Sequence, residues 1–234
     1  QKLEYSLIRF TQIFYLMTDS IEELISKGNE CIENVLLIDA LDCFQKVLSI
    51  EPDNQNALQS CASIWEDMAL SSTDSKKKYA QVSETFWDKL IQLNPSNAEY
   101  IVNKGQILQY YLDDSDKALT CYQSALQLDS SLHMAWMHLG VIFSNSSDWE
   151  NALVSYEKAI ELDDMSNLLW LNFGITHAKM GKYEKALECF ERSLYLDDTH
   201  AYAWKSKCKI LDTLGRYDES KICGKKYYEL TKNN

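Results

Sequence analysis

Proline occurs only twice and glycine only seven times among 234 residues. Both residues punctuate turns, so their scarcity argues for long helices joined by short links and against a loop-rich all-β fold. Positive charge is also short. Twenty-three Lys and Arg face 35 Asp and Glu, which leaves a net charge of −12. A field of that sign repels phosphate backbones, so nucleic acid is not expected as a partner and basic segments are favoured. No apolar run approaches the roughly 18 residues of a spanning helix, so no membrane insertion is expected. The seven cysteines are odd in number and include no C-x-x-C pair. That pattern fits reduced thiols in a cytoplasmic, reducing compartment, or a nucleus or organelle matrix, better than a disulfide framework. No Cys/His cluster has ligand spacing, so neither a metal nor a cofactor is expected.

What is present is a repeat. Laid over one another, His133–Ser166 and Asn167–His200 align without a gap: Trp136 falls on Trp170, Leu139 on Phe173, Gly140 on Gly174, Trp149 on Tyr183, Ala152 on Ala186 and Tyr156 on Phe190. The period is 34 residues. One step forward, 201–234 keeps Trp204, Gly215, Tyr217 and Leu230 in register. Stepping back, 98–132 carries one extra residue, 55–97 carries nine around Ser71–Lys78, and 21–54 is again 34 long. Six repeats and a leader over 1–20 account for the whole chain.

Each repeat reads as two amphipathic helices, with apolar positions recurring at three- and four-residue spacings over Met134–Ser144 and Trp149–Leu162. Gly140 and Gly174 fall mid-helix, where glycine costs about 1 kcal/mol relative to alanine. A close helix crossing is the expected compensation, with no room for a larger residue opposite Ala152 or Ala186. One helical pair cannot cover its own apolar face, so the pairs must stack.

The pattern closely resembles the tetratricopeptide repeat family, with its aromatic, Leu-Gly, Tyr/Phe, then Ala, Phe, Ala and a closing Pro at fixed offsets. Pro52 and Pro95 hold the closing position in two repeats; Asp164 and Asp198 replace it in two others, and His177 stands where an aromatic is usual. The resemblance implies an all-α fold, a right-handed α-solenoid of six helix-turn-helix repeats (21–54, 55–97, 98–132, 133–166, 167–200 and 201–234). The strongly apolar leader reads as an N-terminal helix that caps the first repeat or docks on another subunit. The last helix, with Gly224 in place of the usual aromatic, reads as a cap with a wetter face.

In the family, the second, fifth, sixth, ninth, twelfth and thirteenth positions of each first helix line a concave groove. Mapped here, that groove is acidic and polar over the first repeats and apolar at Met134, Met137, Val141, Leu168, Leu171 and Ile175. It becomes basic at Lys179, Lys205 and Lys209, beside Tyr202. Apolar patches with methionine suit adaptable contacts. The sixth positions, Asn103, His138, Asn172 and Ser206, with Gln106 nearby, offer a polar ladder to an extended peptide backbone. The lysines suit an acidic segment or a terminal carboxylate. The carboxylate clamp of chaperone-tail-binding members is missing: no first helix pairs Lys with Asn four apart.

Catalysis has little support. Only His138 of the four histidines maps to the groove, and no Ser, Cys or acid is set beside it. The Asp113-Asp114-Ser115-Asp116 run lacks the glycine and terminal glutamate of a calcium loop. The insertion around residues 71–78 reads as a surface loop or an extended second helix, with a partner contact or phosphorylation site as the alternative. The chain is thus expected to be a non-catalytic protein-interaction module. Its partner would be a protein or peptide with an apolar segment and an acidic end, held in the groove of repeats three to six. Alternatives are a scaffold subunit of a multiprotein complex, or the substrate-reading arm of a larger receptor or transferase. Changing Met137 and Leu171 together to Glu should, on this reading, abolish binding and leave helicity intact.

Overall fold

A computed structural model describes residues 20–232; the expected leader helix lies, except for Ser20, outside them. Twelve α-helices and no strand occur among the described residues. In chain order they are α1 (Ile21–Glu33), α2 (Leu37–Ile50), α3 (Gln55–Ser71), α4 (Lys76–Leu93), α5 (Ala98–Tyr110), α6 (Ser115–Leu128), α7 (His133–Asn145), α8 (Trp149–Leu162), α9 (Asn167–Lys179), α10 (Tyr183–Leu196), α11 (Ala201–Thr213) and α12 (Tyr217–Thr231). They form two compact units that divide after Asp114.

In the first unit, α1 starts on a capping box: Ser20 Oγ accepts from the Glu23 amide and the Glu23 carboxylate accepts from the Ser20 amide. That arrangement satisfies two otherwise orphan donors of the first turn. Helix α1 packs on α2 around Leu24, Phe44 and Val47. Helices α3 and α4 are 17 and 18 residues long, against 13 and 14 for α1 and α2. The insertion has therefore lengthened both helices by a turn, leaving only 72–75 between them. Its lysines serve the same unit: Lys77 pairs with Asp113 at 3.0 Å, and Lys76 sits 5.2 Å above the Tyr111 ring.

The links within five repeats use a left-handed residue, while the 72–75 link between α3 and α4 has none. Gly181 (φ 76°) and Gly215 (φ 73°) supply it where glycine is free to. Asp113, Ser147 and Val35 do so at φ 59°, 62° and 60°. For β-branched Val35 that conformation costs roughly 1–2 kcal/mol.

In the second unit, one device recurs at the start of each first helix. Trp136, Trp170 and Trp204 donate their indole Nε1–H to the carbonyls of Ser130, Asp164 and Asp198, each six residues earlier, at 3.0, 2.8 and 2.7 Å. Within the same turns, Asp129, Asp163 and Asp197 accept backbone N–H bonds from two residues ahead, each at 2.9 Å. These Asx turns close the repeats that lack the proline.

The mid-helix glycines face rings, not Ala152 and Ala186. A Cβ on Gly140 would lie 2.6 Å from the Tyr156 ring, and one on Gly174 would lie 2.7 Å from Phe190. Gly28 is likewise set against Phe44 in the first unit, also at 2.7 Å. In the last repeat the relationship is reversed. The aromatic is replaced by Gly224, and the glycine by Cys208. Gly140→Ala should therefore destabilise by roughly 1–2 kcal/mol, the overpacking outweighing the gain in helix propensity. Gly224→Ala, with nothing within 4 Å of the added methyl, should instead stabilise by about 0.5–1 kcal/mol. Urea denaturation of the two variants measures the opposite signs.

Candidate partner-binding surface

The first helices of the second unit, α7, α9 and α11, stand in one register, 34 residues apart. Their second positions are Met134, Leu168 and Tyr202, which are 36%, 47% and 54% exposed. The register is held by caps: Ser166 Oγ accepts from the Leu169 amide at 3.3 Å, and His200 Nδ1 accepts from the Ala203 amide at 3.3 Å. Large apolar side chains left in water at equivalent positions of successive repeats form a stripe available for contact.

The fifth positions do not join that stripe. Met137 and Leu171 are only 4% and 3% exposed. Met137 packs with Ala152, Tyr156, Ala159 and Leu169. Leu171 packs with Leu187, Phe190, Ala203 and Ile210. Adjacent first helices approach closely enough to bury this row, so both residues hold the repeats together and are not open groove anchors. Val141 and Ile175 are half-buried against the same two clusters.

The polar ladder is interrupted too. His138 is buried, with its ring stacked on Tyr122 at 5.2 Å and 15°. Burial alone pushes its pKa down to about 4, which keeps the imidazole neutral at pH 7. Asn172 and Ser206 are half-buried on α9 and α11. Asn103 and Gln106 are half-buried on α5, in the other unit. Ser144, another position assigned to the groove, is buried and lies 2.9 Å from Thr176 Oγ1, a hydroxyl pair between α7 and α9. The pair was invisible in the sequence, because a periodic pattern does not say which neighbouring helix a position meets.

The lysine cluster separates into two kinds. Lys179 donates to Asn145 Oδ1 at 3.1 Å, and Lys207 pairs with Glu191 at 2.9 Å. Lys205 and Lys209 are exposed and form no ion pair among the described residues. Two uncommitted ammonium groups therefore stand on α11 beside Tyr202. No group of three His, Cys, Asp or Glu side chains able to hold a metal occurs among the described residues.

Tetratricopeptide repeat family models match residues 98–132, 135–164 and 168–200. No curated protein sequence matches the chain. Among solved structures, PilW, a widely conserved type IV pilus biogenesis factor, is similar with a TM-score of 0.75. It is 15% identical, over 91% of this chain and 94% of its own. The pilF protein of Pseudomonas aeruginosa is similar with a TM-score of 0.72, at 16% identity over 92% and 93%. YrrB, a protein with an unusual peptide-binding site, has a TM-score of 0.57, at 20% identity over 85% and 97%. Identities this low carry the fold, an all-α array of helix-turn-helix repeats, and not the clients.

Proposed function

We propose that this chain, whose residues 98–132, 135–164 and 168–200 match tetratricopeptide repeat models, is a non-catalytic interaction module whose second unit binds a peptide or helical segment of a partner. The observation that carries this reading is the exposed stripe of Met134, Leu168 and Tyr202, one residue per repeat in one register. A partner segment with apolar anchors spaced to match would bury it, and burial of that kind contributes roughly 25 cal/mol per Å² of apolar area. Unpaired Lys205 and Lys209 would favour an acidic end on the same segment. Half-buried Asn172 would register its backbone. YrrB's peptide site lends the reading support by likeness of fold only. A cytoplasmic or other reducing setting is part of the proposal, consistent with seven free thiols.

The test is affinity capture with the full chain and with Met134→Ser, Leu168→Ser, Tyr202→Ser combined. The three residues are exposed, so helicity should be unchanged. A partner recovered by the parent chain should be lost from the triple variant. A partner held equally by both sinks the proposal.

A scaffold role is favoured by a different observation. Val35, Leu36 and Ile38 are consecutive or nearly so, large, apolar and exposed, and Val35 is held in a strained backbone conformation. Such a knob on the first unit suits docking on another subunit. Loss of a co-purifying subunit on Val35→Gly with Ile38→Ser, with the stripe intact, would support that reading.

A further inference from the structure

Helices α8, α9 and α10 line an open cleft of about 450 Å³ in the second unit. Its wall on α9 consists of Trp170, Phe173 and His177, the fourth, seventh and eleventh residues of that helix. The stripe residue of α9 is Leu168, its second position, so the cleft and the apolar stripe are made by different residues. Phe173 stands between the other two rings, 6.3 Å from Trp170 and 4.5 Å from His177, tilted by about 50° to each. Flat apolar groups pack well against such a wall.

His177 is the unusual member. It is 5% exposed, and its Nδ1 is buried with no hydrogen-bond partner among the described residues. A buried polar atom left unpaired costs free energy, and this one is too deeply covered for a ligand atom to meet it. Opposite it, at the start of α10, Lys182 and Lys185 line the cleft and form no ion pair among the described residues. Burial first, then the charges of Lys185 and Lys182, hold the imidazole pKa below its ordinary value. Lys182 is also the N-cap of α10 and gives it no side-chain cap, so the helix's first amides add to the positive end. Arg192 is committed to Asp164 at 2.9 Å. The carboxylates of Glu157 and Glu188 also line the cleft. They offset much of the positive charge, which suits a singly charged carboxylate better than a dianionic phosphate.

We propose that this cleft is a binding site for a planar aromatic group bearing a carboxylate: the ring against Trp170, Phe173 and the His177 imidazole, and the carboxylate between Lys182 and Lys185. The size fits, since small-ligand sites run from roughly 300 to 1,000 Å³. The chemistry is shared by small aromatic acids and by a chain ending in an aromatic residue.

The experiment follows the imidazole Cε1–H resonance of His177 by NMR in the full chain, assigned by its disappearance in His177→Phe. The probes are 3-phenylpropionate, its neutral amide, and the peptide Gly-Gly-Gly-Phe with a free or an amidated C-terminus. A saturable shift is expected from the free carboxylates and none from either amide. Lys182→Ala with Lys185→Ala, both at the surface, should weaken that binding by about tenfold or more. Tighter binding of the free-acid peptide than of 3-phenylpropionate assigns a chain end as the source, and the reverse order assigns a small molecule. No saturable shift from either acid, or equal shifts from acid and amide, overturns the site.

Discussion

Replacing Met137 and Leu171 together by glutamate is expected to unfold the second unit, not to remove partner binding from an intact fold. Both side chains are almost wholly buried, each in a different cluster that joins neighbouring repeats. Truncating a buried Met or Leu alone costs about 2–5 kcal/mol. A carboxylate in the same place is set among apolar side chains, and it adds desolvation that is only relieved by protonation or by opening the structure. Two such losses rival the roughly 5–15 kcal/mol that a whole domain has in hand. Repeats stabilise one another through their interfaces, so damage to two interfaces spreads beyond the substituted helices. Far-UV circular dichroism and urea denaturation should show lost helicity or a collapsed midpoint. The matched control is Met134→Glu with Leu168→Glu, one turn away on the same helices, which should keep helicity. Equal helicity and equal midpoints for the two double variants would refute this assignment of inside and outside.

The difference between those two pairs marks where the sequence stopped being legible. Apolar spacing of three and four placed the two helices of the fourth repeat, and the 34-residue register put α7, α9 and α11 in correspondence. What periodicity does not contain is the distance between neighbouring first helices. Met134 and Met137 are three residues apart on one face of α7, yet one meets water and the other meets Tyr156 and Leu169. Gly140 shows the same limit. Its need for a close crossing was readable, but the ring of Tyr156, four residues beyond Ala152, is what fills the space. The lysines differ for yet another reason. Charge alone does not show that Lys207 reaches Glu191 while Lys205 and Lys209 form no ion pair among the described residues. The cleft on α9 was missed although one signal for it was present, since His177 breaks the aromatic pattern at its position. Its meaning depends on Lys182 and Lys185 being brought against it by the turn at Gly181.

Lowering the pH from 7 to 4 is expected to cost the chain up to about 3 kcal/mol through His138 alone. The ring is buried against Tyr122, and burial depresses its pKa from 6.5 to about 4. In the unfolded chain the same imidazole titrates near 6.5. Above pH 7 it is neutral in both states and has no effect on the balance. Between about 6.5 and 4 the unfolded state binds a proton that the folded state refuses, so stability falls as pH falls, at up to 1.36 kcal/mol per pH unit. Below about 4 both states are protonated and the dependence from this residue levels off. His177 is shifted in the same direction by burial and by Lys185 and Lys182, and the carboxylates titrate at the lower end of the range. The contribution of His138 is therefore isolated by difference. His138→Phe keeps a ring for Tyr122 to stack on and removes the titrating nitrogens. Urea midpoints for the parent and the variant, measured from pH 7.5 to 4, should diverge below about pH 6.5, with the variant losing less. Parallel curves would mean that the imidazole accepts its proton in the folded state, and hence that its ring reaches water.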